Sequence, residues 1–442
     1  MKRQDVCNKE ELEVHEDEYL ASYALKSKNS IRNNKESSPL EYRTQFHRDR
    51  DRIIWSRSFK RLQHKTQIFP CYSADHFRRR LTHSLEVSQI ATTIARSLRL
   101  NEIATEAMAL AHDIGHAPFG HSGEKALNKK LIELKEKYQL PENEDIILYN
   151  FDHALQGIEI VERIEKEYEP DFPGLNLTIP VIEGIFKHRR RELKGSSRDN
   201  DKLTFQEIFR KKQYAKYGLN YGALEAQCVL FADKLAYFFA DFEDALRSHI
   251  LNYKEINKGL FKQFISMINE ILDANNYSKF DKNNIDNIDL FLEFRRKAIA
   301  ALILDAVKTS LRLISDNKLS TSDDAKKIDK RIIRLDAKYE EIKEETYNKY
   351  IKDRVFNHEL YKGTEFKAEK IVKDIFDAYY EDINLIPADY RQHIINAYKN
   401  LTQNDKEIDI LSIKNYIAGM TDSFIISRHK DLFMSSENIL IS

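Results

Sequence analysis

Cysteine is nearly absent from this chain: its 442 residues hold three, Cys7, Cys71 and Cys228, with no Cys-x-x-Cys pair among them. That usage argues against both a disulfide framework and a cysteine zinc knuckle, and it suits a reducing cytoplasm. Turn-formers are scarce as well, with 12 Gly and 8 Pro. So few breakers argue against many short strands, whereas 42% hydrophobic and 32% charged residues suit long amphipathic helices. A charge excess of either sign is missing too, since Lys plus Arg and Asp plus Glu both total 71. No global field therefore favours nucleic acid or an anionic membrane, and only a local basic cleft could serve such a partner. Runs of about eighteen apolar residues do not occur, and the charged N-terminus has no apolar core of the secretory kind, so neither a spanning helix nor a signal peptide is expected.

What is present is helical periodicity, and the expected fold class is all-α. The length exceeds what one hydrophobic core usually supports, which suits a helical core followed by a C-terminal helical lobe. Residues 1–40 are charged and weakly periodic and read as a loosely ordered arm, 41–252 as the core, and 253–442 as a helical region packed on it. Within the core, residues 189–222 are polar and lysine-rich and read as a surface insertion. Leu85, Ile90, Ile94 and Leu98 recur at helical spacing, and after Asn101, a suitable N-cap, Ile103, Ala107, Met108, Leu110 and Ala111 do so again. These two helices carry His83 and His112, and the second is expected to stop near Gly115. A third, "ALEAQCVLFADKLAYFFADFEDALRSHILN" (223–252), sets Asp233 and Asp241 among aliphatic and aromatic neighbours, where carboxylates need partners.

Seven of the fourteen histidines fall between His47 and His121, and three of them crowd into "AHDIGHAPFGHSGE" (111–124). Imidazoles beside carboxylates suit a divalent ion, and a catalytic ion also needs positions open to water and substrate. The neighbours His112 and Asp113 would project about 100° apart in mid-helix, but at a helix end they can share one ion. A turn whose histidines satisfy local hydrogen bonds is the alternative reading of the same residues.

The stretches "EYRTQFHRDRDRIIWSRSFKRLQHKTQIF" (41–69), "DHFRRRLTHSLEVSQIATTIARSL" (75–98), "LNEIATEAMALAHDIGHAPFGHSGEKALN" (100–128), "FDHALQGIEIVERI" (151–164), "IEGIFKH" (182–188), "LEAQCVLFADKLAY" (224–237) and "NYIAGMTDSF" (415–424) follow one another in the chain. In that order they resemble the HD-domain phosphohydrolases, and within them the deoxyguanosine triphosphate triphosphohydrolase (dGTPase) family. The resemblance implies an HD-domain helical core that hydrolyses dGTP or several dNTPs to deoxynucleoside and triphosphate, with Mn2+, Mg2+ or another transition metal such as Fe, Co or Ni. It makes His83, His112, Asp113 and Asp233 the metal ligands and His116, His121 and Glu124 the catalytic group, Glu124 orienting His121. Arg80 and Lys234 then hold phosphate oxygens, His153 lies in the active site, and Gln67, Tyr237 and Asp241 face the sugar. The basic run from Arg43 to Lys65 reads mostly as a salt-bridged helix.

Alternatives from other classes are an HD-type phosphodiesterase or 5′-nucleotidase, which needs the same ligands, and a single-stranded nucleic-acid-binding homologue. Another is an oligomeric dNTPase governed by an allosteric nucleotide. A homo-oligomer in the cytoplasm, with no membrane partner, is the expected setting.

Overall fold

The computed structural model describes residues 8–36, 42–67, 78–139, 148–165, 173–188, 221–281 and 284–434. Regular structure among them is helical, apart from two isolated β-bridges, Arg32 with Thr178 and Thr66 with Arg79. The expected polar insertion falls outside the described residues except for Tyr221 and Gly222. No described helix is long and apolar enough to cross a membrane.

The histidine-bearing part is built from α1 (Lys9–Tyr19), α2 (Gln45–Trp55), α3 (Arg80–Ser97), α4 (Glu102–Ala111), α5 (Gly120–Tyr138), α6 (His153–Glu159), α7 (Ile179–Lys187) and α8 (Leu224–Arg247). Asn101 caps α4 as expected, its side chain accepting from the Ala104 N–H. Regular helix ends at Ala111, short of Gly115, and His112 through Gly115 form the turn. Packed against α3, α4 and α7, helix α8 is the axis of this part. Of its residues only Lys234, Tyr237 and Arg247 are not buried. A helix apolar on nearly every side must be wrapped by others, and Lys234 and Tyr237, three residues apart, mark the one interior face left open.

Downstream lie α9 (Gly259–Asp273), α10 (Ile288–Asp316), α11 (Ala337–Tyr347), α12 (Glu359–Glu381), α13 (Ala388–Tyr398), α14 (Asp405–Gly419) and α15 (Asp422–Phe433). Their apolar faces divide between two clusters. Phe261, Phe294 and Val355 join Val87, Met108 and Phe238 in the larger one, while Val372, Tyr379, Tyr398 and Ile425 pack on Leu127 and Leu131 of α5. The turn after α4 lies where the two meet, with Ile114 in the first cluster and Ala117 and Phe119 in the second.

The N-terminal segment departs from the expected loose arm. Asn8 and Glu11 form a reciprocal capping box on α1, and Ala24 and Leu25 are buried. Buried Glu225 of α8 accepts from the Leu25 N–H at 2.9 Å and the Asn101 N–H at 3.1 Å. Arg32 pairs with Asp49 at 2.5 Å and Glu36 with Arg52 at 2.6 Å, so polar pairing rather than apolar periodicity holds residues 8–36 in place. The basic run is salt-bridged, as read, through Arg43 to Asp51 and Arg50 to Glu106, but Arg48 and Arg52 are buried rather than outward.

One side chain pins the turn across the seam. The Asp422 carboxylate, at the start of α15, accepts from the Thr66 N–H at 2.8 Å and the Phe119 N–H at 2.9 Å. Phe119 has φ of 62°, a left-handed conformation that costs a bulky residue about 1–2 kcal/mol, and the bond from its N–H helps to hold it there. Asp422→Ala leaves two buried N–H groups unpaired, at about 1–3 kcal/mol each. It should lower the free energy of unfolding by about 2–4 kcal/mol in urea titrations followed by circular dichroism; an unchanged midpoint would contradict this anchoring.

Candidate metal centre

Separate elements deliver the candidate ligands. His83 comes from the first turn of α3, His112 closes α4, Asp113 opens the turn, and Asp233 lies in the middle of α8, all of them buried. His83 Nε2 is 2.9 Å from Asp233 Oδ1, and His112 Nε2 lies 3.4 Å from Asp113 Oδ1 and 3.8 Å from Asp233 Oδ1. Because α4 stops at Ala111, the adjacent His112 and Asp113 side chains reach the same space.

His112 Nδ1 lies 2.6 Å from the Ala109 carbonyl. A carbonyl can only accept, so Nδ1 carries the hydrogen and Nε2 keeps a lone pair, buried and without a hydrogen-bond partner among the described residues. Metal-binding histidines are oriented in this way. Burial pushes the Asp113 carboxyl upward, but His112, His116 and Arg80 outweigh it and hold the group well below the usual carboxylate range. Asp233 is likewise held low against burial, by the hydrogen bond from His83 and the neighbouring imidazoles. Ionised carboxylates beside the unpartnered His112 lone pair, all of them buried, call for a cation. Donors about 2.0–2.2 Å from a divalent ion stand about 3–3.5 Å apart, close to the separations here. The residues therefore fit a metal ion, and His83, His112 and Asp113 each place a donor atom within 4.8 Å of the others.

Beside this cluster, Arg80 donates through Nη1 to Asp113 Oδ2 at 2.7 Å, while its buried Nε and Nη2 have no partner among the described residues. Its guanidinium lies over Gly120, where an added Cβ would come within 2.7 Å of Nη2. The Gln67 backbone lies alongside, its main-chain carbonyl oxygen 3.3 Å from the same point. Glu124, one turn into α5, gathers three imidazoles: His153 Nδ1 at 2.9 Å, His121 Nδ1 at 3.5 Å and His116 Nδ1 at 3.8 Å. Of these three rings His153 lies nearer than His121, the imidazole that the resemblance pairs with it. His116 stacks on His153 with ring centroids 3.9 Å apart, and burial together with Arg80 and His153 holds its pKa well below the usual histidine value. His121 differs from both in being half exposed, at 50%.

On the far side, the Tyr237 ring meets Tyr347 of α11 edge to face at 5.3 Å, and the Tyr347 hydroxyl donates to Asp241. Burial pushes the Asp241 carboxyl well above its usual range. Tyr361 of α12 hydrogen-bonds Ser122 and lies near Asp241, which links this group to the His121 side. Half-buried Lys234 lies near Glu340 of α11.

The sequence reading missed two members. His188, at the end of α7, is buried with Nε2 4.0 Å from Asp113 Oδ1 and Nδ1 3.9 Å from Asp233 Oδ2. Its signal was the closing histidine of "IEGIFKH", quoted for resemblance but given no role. Tyr347 comes from more than a hundred residues beyond Asp241, and no local pattern distinguishes it.

An HD domain matches residues 80–237, and a phosphohydrolase-associated domain matches residues 338–431, the region that supplies Tyr347, Tyr361 and Asp422. Fold and matched domains together define the class, an HD-domain hydrolase. The chain is 35% identical over 417 residues to a deoxyguanosinetriphosphate triphosphohydrolase-like protein of Rickettsia felis, covering 93% of this chain and 98% of that one. Similarly named proteins of Bordetella pertussis and Brucella ovis are each 34% identical, across 94% and 88% of this chain and 96% and 90% of theirs. The chain belongs to this deoxyguanosinetriphosphate triphosphohydrolase-like family.

Gly115 sets how closely the turn approaches α6. A Cβ there would lie 2.0 Å from the His153 carbonyl oxygen and 2.3 Å from the Gly157 nitrogen, both backbone atoms that cannot swing aside. Gly115→Ala should therefore displace Asp113 relative to His153 and weaken Mn2+ binding by about tenfold or more, since an open site depends on its donor geometry. Calorimetric titration checks this, with circular dichroism confirming that the helices persist; wild-type affinity would contradict it.

Proposed function

We propose that this hydrolase cleaves deoxynucleoside triphosphates, dGTP or several dNTPs, to deoxynucleoside and inorganic triphosphate. The observation that carries the reading is the buried cluster of His83, His112, Asp113 and Asp233 lying beside cationic Arg80 and half-exposed His121. The relatives, named as deoxyguanosinetriphosphate triphosphohydrolase-like proteins, support the same substrate class. A divalent ion held by those four side chains would acidify a water and polarise a phosphate oxygen.

The chain's own residues do the rest. Arg80 has two buried N–H directions without a partner among the described residues, next to the start of α5, where backbone N–H groups also favour anions. With Lys234 it grips the β- and γ-phosphates and leaves the α-phosphorus beside His83, His112, Asp113 and Asp233. A bond forms from the water oxygen to the α-phosphorus, the water giving up a proton to solvent, and the bond from that phosphorus to the 5′-oxygen breaks. The leaving 5′-oxygen takes a proton from His121, whose exposure lets it reach the nucleoside. Glu124 tethers His121 and His153, while His116 stays neutral and packs behind them. Tyr237 walls the sugar pocket, and Asp241, bonded by Tyr347, meets the 3′-hydroxyl together with Gln67. A 2′-hydroxyl would face that wall without a partner.

The choice of bond separates this reading from its rivals. Chromatography of products from dGTP in ¹⁸O-water should give deoxyguanosine and triphosphate, with one label in the triphosphate and at least tenfold slower turnover of GTP. Release of dGMP, or label in the nucleoside, would favour the phosphodiesterase-type alternative. His121→Ala should retain the ion and nucleotide affinity but lose about 10²-fold or more in kcat. Unchanged kcat would make this histidine structural.

A further inference from the structure

We infer that Glu340 is a resident stand-in for the terminal phosphate of the substrate: its carboxylate occupies Lys343 and Arg331, and an entering triphosphate displaces it. The inference deepens the proposed function and rests on its reading of Lys234, Tyr237 and Asp241 as substrate contacts.

The geometry starts from α8. Gln227, Lys234, Tyr237 and Asp241 follow one another at intervals of seven, three and four residues, so they fall on one face of that helix. Helix α11 faces them in the same order. Glu340 lies near Lys234, and further along α11 Tyr347 meets the Tyr237 ring at 5.3 Å and donates to Asp241. The strip between the two helices is therefore charged at one end and lined by tyrosines and a carboxyl at the other, about 10 Å apart along α8. A nucleotide with its sugar at Asp241 directs its phosphate tail toward Lys234 and Glu340.

At the charged end, Lys343 Nζ lies 3.1 Å and Arg331 Nη2 3.3 Å from the same oxygen, Glu340 Oε1. The other oxygen, Oε2, is buried and has no hydrogen-bond partner among the described residues. Burial pushes the Glu340 carboxyl upward, but Lys343 and Arg331 hold it below the usual carboxylate range, and Lys234 adds to them. Lys343 is itself buried. Arg331 is fixed through its neighbours, since the Ile332 and Ile333 N–H groups donate to buried Gln227 Oε1 at 2.7 and 3.3 Å and so tie this segment to the same face of α8. Three of the four charged side chains here are cationic and one is anionic. A terminal phosphate, with a charge of about −1.5 to −2 and three acceptor oxygens, matches Lys234, Lys343 and Arg331 better than one half-satisfied carboxylate does. Glu340 keeps those cations in place while no tail is bound, because it offsets their mutual repulsion.

The test is calorimetric titration of the full-length, Mn2+-loaded protein with inorganic triphosphate and, separately, with dGMP, which has no tail. Glu340→Gln keeps the volume and removes the charge, so it should bind triphosphate about tenfold tighter than wild type, whereas Lys343→Met should bind it about tenfold more weakly. The dGMP affinity should stay the same in both. Triphosphate affinity in Glu340→Gln that equals or falls below wild type, unchanged affinity in Lys343→Met, or an equal shift for dGMP in either variant would overturn the inference. Failure of wild type to bind triphosphate at all would instead overturn the proposed function on which it rests.

Discussion

Two buried carboxylates facing several buried imidazoles form the constraint on which this structure turns. Asp113 and Asp233 are buried and held ionised by His83, His112, His116 and Arg80, and the unpartnered Nε2 of His112 faces them. Such a group of charges is costly to assemble unless a cation completes it. Much of the surrounding architecture serves to keep the donors together. Helix α8 is wrapped on nearly every side, which fixes Asp233; α4 ends at Ala111, which frees Asp113 to turn back beside His112; and the bare Gly115 lets the backbone at His153 approach.

The seam between the two apolar clusters gives the site its second layer. A turn rooted in one cluster alone would be positioned by one set of contacts, but this one is clamped from both sides, by Ile114 and by Phe119. Asp422 and Lys65 reinforce the clamp with polar bonds, Lys65 donating to the carbonyls of His116 and Ala418. The phosphohydrolase-associated region thereby places Tyr347 and Tyr361 beside Tyr237 and Asp241 and anchors the turn through Asp422.

Much of this was legible in the sequence because local rules governed it. The Asn101 cap and the helices bearing His83 and His112 follow from periodicity and capping, whereas the second helix ends at Ala111, before the His-Asp pair rather than near Gly115. The N-terminal segment was misjudged because long-range polar pairs such as Leu25 with Glu225 and Glu36 with Arg52 order it, and these leave no periodic trace. His188 escaped notice because a lone histidine ending a helix is more often structural, and only the fold sets it against Asp113 and Asp233. The preference of Glu124 for His153 over His121 depends on how closely α6 meets α5, and chain spacing does not encode that distance.

Anomalous diffraction at the manganese edge, from crystals of the metal-loaded protein, tests the central claim most directly. The account predicts a peak enclosed by His83 Nε2, His112 Nε2, Asp113 and Asp233, at about 2.0–2.3 Å from each donor. A map with no peak among these four side chains, or with manganese bound only elsewhere, would contradict it.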